Sequence, residues 1–200
     1  MNAFGVEAPG SMNEVAVDVY TSSYRVSGTV RTPFGRVSDM LNQLSGGHLT
    51  VEHATISEHG QASGALAAPS ALVSLEEILV VAAPGLSGEA RGEMRIQKRP
   101  VRAQLAMAPI RVTGIIHVPM GSRPVDGLLN VQDRFMPMTD VALESAHHPH
   151  LDRTCPIVAI RRDRAHILLV ADDERPDELL AEVIDERTAE AWLRSGEEPS

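Results

Sequence analysis

"YRVSGTVRTPFGRVSDMLN" (Tyr24–Asn42) returns, with substitutions, as "IRVTGIIHVPMGSRPVDGLLN" (Ile110–Asn130). Arg25-Val26-Ser27-Gly28 matches Arg111-Val112-Thr113-Gly114, Pro33 matches Pro119, and Leu41-Asn42 matches Leu129-Asn130 after a small slip. Further along, "VEHATI" (Val51–Ile56) corresponds to "MTDVAL" (Met138–Leu143). "ALVSLEEILVVAA" (Ala71–Ala83) corresponds to "VAIRRDRAHILLVAD" (Val158–Asp172), with two extra residues at the turn. An ordered echo of this length points to a doubled unit, and a repeat decides the reading of everything around it.

Each copy reads as β structure. Val15, Val17 and Val19 alternate with polar or small residues, the period of a half-buried strand. After the turn "TSS", Tyr24, Val26, Gly28 and Val30 share one face, with Arg25, Ser27, Thr29 and Arg31 on the other. Ile110, Val112, Gly114, Ile116 and Val118 repeat that inner face. Gly28 and Gly114 stand where an aliphatic side chain is expected, which marks a sharp bend or a close backbone approach. Pro33 and Pro119 end these strands, because proline donates nothing to a ladder. A short helical turn is expected at "SDMLNQL", capped by Ser38. Strands follow at Leu49–Glu58 and Met136–Glu144, and the last two strands of each copy form a hairpin with "SLEE" or "RRDRA" near its tip.

The expected organisation is a flexible N-terminus over 1–13, β repeat 1 over 14–84 and a Gly-rich linker over 85–99. β repeat 2 follows over 100–173, then an acidic amphipathic helix over 174–195 and a disordered tail over 196–200. Pro176 suits the helix start, and Leu180, Val183, Ile184, Ala191 and Trp192 form its apolar stripe. The fold class is therefore mainly β: two tandem small barrels or rolls in pseudo-two-fold relation, closed by a C-terminal helix. The strand and turn order resembles the Sm-like and SH3-like small β-barrels. The residues that carry this are "RVSGTV…MLN…HATI…ALVSLEEILVV" and "RVTGII…LLN…DVAL…HILLV". That resemblance implies small, strongly curved barrels and brings RNA binding as an expectation.

Composition bounds the rest. Hydrophobic residues make up 43% of the chain and aromatics only 3%, so the core must be aliphatic. The single cysteine, Cys155, excludes an internal disulfide and fits a reducing compartment. No signal-like or membrane-length apolar stretch is visible, which makes the cytoplasm the expected location. Of the net charge of -9, -8 lies between Asp172 and Ser200, so the body is close to neutral.

Three functional classes remain. The loop "HHPHLDRTC" offers His147, His148, His150, Asp152 and Cys155, residue types that ligate transition metals, without a known zinc spacing. Arg91, Arg95, Lys98, Arg99 and Arg102 precede the second copy, and Arg161, Arg162 and Arg164 crowd one tip, as phosphate-neutralising clusters would. Stacking aromatics for a single strand are absent from the loops. No catalytic residues are assigned: Cys155 with His166 and Asp163, or Asp39 with Asp126, lack the context of an active site, and no phosphate-loop or nucleophile motif occurs. No cofactor is implied. The favoured reading is a non-enzymatic scaffold that meets a protein partner or a second copy through edge strands or the final helix.

Overall fold

A computed structural model describes residues 12–60, 64–86, 97–121, 123–124 and 133–170. It is mainly β, a single open antiparallel sheet of ten strands among the described residues. The strands are β1 (Asn13–Tyr20), β2 (Tyr24–Thr32), β3 (His48–Glu58), β4 (Leu66–Ser74) and β5 (Val80–Ala82). They continue as β6 (Lys98–Met107), β7 (Ile110–Pro119), β8 (Phe135–Glu144), β9 (Arg153–Arg161) and β10 (Ile167–Val170). A six-residue helix, α1 (Val37–Asn42), links β2 to β3. Among the described residues no helix is long and apolar enough to cross a membrane. The expected helix at 174–195 and the tail at 196–200 lie outside the described residues, as do most of the N-terminus and linker.

Strand order across the sheet is β10-β6-β7-β8-β9-β5-β1-β2-β3-β4. The first five strands thus lie in the order β5-β1-β2-β3-β4, and the second five in the corresponding order β10-β6-β7-β8-β9. The inner faces are those expected from the alternation. Val15, Val17, Val19, Val26 and Val30 are buried, as are Ile110, Val112, Ile116 and Val118. Tyr24 is the exception on its face: it starts β2 at the rim and is 46% exposed.

Both inner-face glycines sit against a bulge. On β3, His53 and Ala54 together oppose Gly28, and on β8, Asp140 and Val141 oppose Gly114. The first residue of each bulge is left-handed, His53 at φ 52 and Asp140 at φ 51, a conformation that His and Asp tolerate better than most. A Cβ on Gly28 would lie 2.5 Å from the Glu52 carbonyl oxygen, and one on Gly114 would lie 2.8 Å from that of Thr139. Bend and close approach are therefore one feature, needed where the sheet coils over its core.

Three expectations are corrected. Ser38 does not cap α1: Arg36 is at the N-cap without a side-chain hydrogen bond, and Ser38 is buried inside the helix. The last two strands of each half do not form hairpins. β4 pairs only with β3, while β5 pairs with β1 and β9, and β10 pairs with β6. The turn after β4 leaves the neighbourhood of Gly47, where Leu75 N–H bonds, and four residues later Leu79 N–H bonds Tyr20 O at 2.8 Å. Ile78–Ala83 is apolar on both faces, and Val80 and Val81 are fully buried, which suits a place between two aliphatic clusters with both faces covered. Finally, the expected pseudo-two-fold relation would pair strands of like position, whereas the joint pairs β5, the last of the first five, with β9, the fourth of the second five.

Two aliphatic clusters fill the halves, and each borrows from the other. Tyr20, Leu79, Val80 and Ala82 pack in the cluster built on β6–β9, while Phe135 and Ala159 pack in the cluster built on β1–β4. Burying side chains across the joint enlarges two cores that would each be small alone.

Candidate interaction site: the joint and the two open edges

The joint begins with three backbone pairs, Val80 with Ile160, Val81 with Ala159 and Ala82 with Val158. Side chains alternate between the two cores along it, since Val81 and Ala159 belong to one cluster and Val80, Ala82, Val158 and Ile160 to the other. Arg161 N–H extends the ladder to Leu79 O at 2.9 Å. The Arg161 guanidinium is nearly buried. It donates to Leu75 O and, through Nε and Nη2, to the two Asp163 oxygens at 2.7 and 2.9 Å. The hydrogen bonds from Arg161 hold the Asp163 carboxyl below its ordinary range.

Polar groups lock the joint at both flanks. Asn42, at the end of α1, clamps the main chain of Phe135. Its Nδ2 donates to Phe135 O at 2.8 Å, and its Oδ1 accepts from Phe135 N–H at 2.9 Å. On the other flank Asp18 accepts from Arg153 Nη1 at 2.7 Å and from Arg25 Nη2 and Nε at 2.8 and 3.0 Å, with the Ser27 hydroxyl as a further donor. Burial disfavours the Asp18 carboxylate, but the Ser27 and Arg25 hydrogen bonds and the two arginine charges outweigh it and hold its pKa below the ordinary 3.8. Both guanidinium groups lie against the Tyr20 ring, at 6.0 and 5.7 Å from its centre. Burial is the main cause that pushes the Tyr20 phenol up to about 12.

The histidine loop sits beside this joint. Asp152 Oδ1 accepts from Ser145 N–H at 2.8 Å and so closes its own loop. Cys155 is buried within the β6–β9 cluster, and burial raises its thiol pKa. His147 and His150 are exposed and His148 is half-buried. His148 lies 5.9 Å, ring centre to ring centre, from both His150 and His59. His59, from the turn after β3, is buried, with Nε2 3.0 Å from Thr21 O, so Nε2 carries the proton and Nδ1 is left without a partner. Burial, then the Thr21 bond acting the other way, leaves the His59 pKa lowered. Among the described residues no group of three or more His, Cys, Asp or Glu is gathered as a metal site.

The basic residues divide. Lys98, Arg99 and Arg102 are on β6, whereas Arg161, Arg162 and Arg164 adjoin the turn that leads to β10; Arg91 and Arg95 lie outside the described residues. Since Ile167 pairs with Ala106, the two groups are at opposite ends of β6. Arg102 to Ala106 is about 13 Å along a strand and Lys98 to Ala106 about 26 Å, at ~3.3 Å per residue. Arg161 is committed to Asp163 and Leu75, and Arg164 Nη2 is 3.6 Å from Glu77. Cys155 does not meet Asp163 or His166, which follow the far end of β9. Asp39 is exposed on α1, and Asp126 lies outside the described residues. An open cleft of about 320 Å³ beside the second bulge is lined by Arg102, Thr113, Ile115, Asp140 and Ala142 among others.

Two edges of the sheet have no strand partner among the described residues: β4 at one end and β10 at the other. Leu66 and Leu72 of β4 are 64% and 71% exposed. Sequence reasoning found the edge problem but not these residues, nor Asp18, Arg153 and the clamp role of Asn42. The "LN" of the echo was the one visible signal for that clamp. No family model matches the chain, and neither the curated proteins nor the solved structures contain a significant match.

Proposed function

We propose that the chain is a non-enzymatic scaffold, made by internal duplication of a five-stranded β roll, that works by strand addition at the two ends of its sheet. The duplication is supported by the common strand order of the halves and by the glycine-against-bulge pairing at Gly28 and Gly114. The prolines agree as well. Counting from the bulges, Ala68 opposite Ala54 corresponds to Cys155 opposite Val141, so Pro69 corresponds to Pro156.

The observation that carries the functional reading is the joint itself. Edge-to-edge pairing of unlike strands holds the two parts of this chain together, with its own polar clamps, and the same kinds of edge stand at both ends without a strand partner among the described residues. An exposed edge is a template for another strand, and proteins that do not use one blunt it with charge, proline or short length. β4, "LAAPSALVS", carries no charge and a single proline, Pro69, outside its Ala71–Val73 stretch, while β10 is four residues long. The nucleic-acid and metal readings have less behind them, since the arginines are separated or ion-paired and the loop residues face different ways.

A photo-cross-linking amino acid at Leu72 tests the reading, with one at Thr113 on the sheet face as control. Protein adducts from position 72 and none from 113 are expected in cells. Adducts from the face alone, or from neither, would remove strand addition as the function.

A further inference from the structure

We infer that the occupant of the open edges is a second copy of this chain: β4 of one copy pairs antiparallel with β10 of the next, repeating the internal β5–β9 joint. The inference rests on the duplication and strand addition proposed above, and adds the partner and the register. On the β4 side the bulge count makes Ala71, Leu72 and Val73 the counterparts of Val158, Ala159 and Ile160. On the other side Val17 faces Gly28 as Ala103 faces Gly114, so Val80, Val81 and Ala82 are the counterparts of Ile167, Leu168 and Leu169, without the two extra residues at the turn that the sequence match implied. Transferring the joint sets Val73 opposite Ile167, Leu72 opposite Leu168 and Ala71 opposite Leu169.

Exposure along β4 follows this transfer residue by residue. Val158 and Ile160 point into their own half's core, and their counterparts do likewise: Val73 is buried in the β1–β4 cluster and Ala71 packs against it. Ala159 points the other way, into the core of the neighbouring half, and is fully buried there. Its counterpart Leu72 has no neighbouring half and is 71% exposed. Leu66, the counterpart of Arg153, which crosses the joint to Asp18, is likewise left at 64%. The side chains of β4 that a second half would cover are thus the large apolar ones in water. Pro69 does not obstruct the pairing, because Pro156 lies outside the three residues that β9 pairs with β5.

Pairing of unlike edges is heterologous, so each added copy presents a fresh β4 or β10, and rings and filaments both contain the contact. An isologous dimer through β4 alone does not. The test uses full-length chain carrying Cys155→Ala, with Leu72→Cys and Leu168→Cys made as separate proteins and treated with a short bismaleimide. The expected result is cross-linked dimer in the mixture and none in either protein alone. Dimer from Leu72→Cys alone, or none in the mixture, overturns the inference. As a second measurement, Leu72→Lys is expected to turn the assembly into monomer by light scattering while keeping the circular dichroism spectrum of the folded chain and removing any dependence of the unfolding midpoint on concentration; an unchanged oligomer, or wild-type chain that is monomeric at high concentration, overturns it too. A photo-adduct from position 72 to a different protein would end the second-copy assignment but keep strand addition, whereas no adduct of any kind ends both.

Discussion

Replacing Gly28 with alanine inserts one methyl group where the β3 bulge presses on β2. That Cβ would lie 2.5 Å from the Glu52 carbonyl oxygen and 2.6 Å from Val51 Cγ1. The first obstacle is main chain held in a ladder, so β2 and β3 must separate by most of an ångström. Overpacking of this kind costs about 1–3 kcal/mol, and a backbone obstacle belongs at the upper end. The lost freedom of the unfolded chain returns about 0.4–1 kcal/mol. The net loss is then about 2 kcal/mol, or ~4–8 °C in the midpoint for a chain of this size. At Gly114 the nearest atom is 2.8 Å away and the next, Val141 Cγ2, is 3.1 Å, so Gly114→Ala loses less, about 1 kcal/mol. Gly35 and Gly46 have nothing within 4 Å, and alanine there is expected to stay within about 0.5 kcal/mol of wild type. Urea and thermal unfolding followed by circular dichroism would rank the four variants. Gly28→Ala as stable as Gly35→Ala would refute the bulge contact.

Other perturbations test the joint and its surroundings. Because the folded pKa of His59 is lowered, folding favours its neutral form: its contribution is complete above the ordinary value of 6.5 and is lost as pH falls below it. The urea midpoint should therefore drop on mild acidification, and His59→Gln should flatten that slope; an unchanged slope would contradict the burial of this ring. A double-mutant cycle of Asp18→Asn with Arg153→Met is expected to give a coupling of about 1–2 kcal/mol at neutral pH. With the Asp18 pKa lowered, that coupling persists below 3.8 and vanishes as pH falls through the folded value, and zero coupling at neutral pH would count against the lock. Cys155, buried and with a raised pKa, should react with a thiol reagent far more slowly in the native chain than in urea, and equal rates would contradict its place in the core.

Alternation is local, so strand identity could be read directly: Val15, Val17 and Val19 advertise one buried face, as do Ile110, Val112, Ile116 and Val118. Gly28 and Gly114 broke that alternation at matching places and so marked the bulges. Partner choice is not local. Ile78–Ala83 has no polar face, so nothing in it says whether it turns back on β4 or crosses to β1 and β9. The Asp18–Arg153 pair joins residues 135 apart, and neither residue differs in type from an ordinary surface charge. His59 comes beside His148 through the pairing of β5 with β9, which joins distant parts of the chain. The exposure of Leu72 depends on β4 standing at the edge of the described sheet, which a sequence does not record.

The β5–β9 joint is tested most directly by backbone nuclear Overhauser contacts of Val81 in isotope-labelled protein. Contacts to both Val19 and Ala159 are expected, placing β5 between the two halves. Contacts from Val81 to Leu72 or Val73 instead, the signature of a hairpin closing the first half on itself, would contradict it.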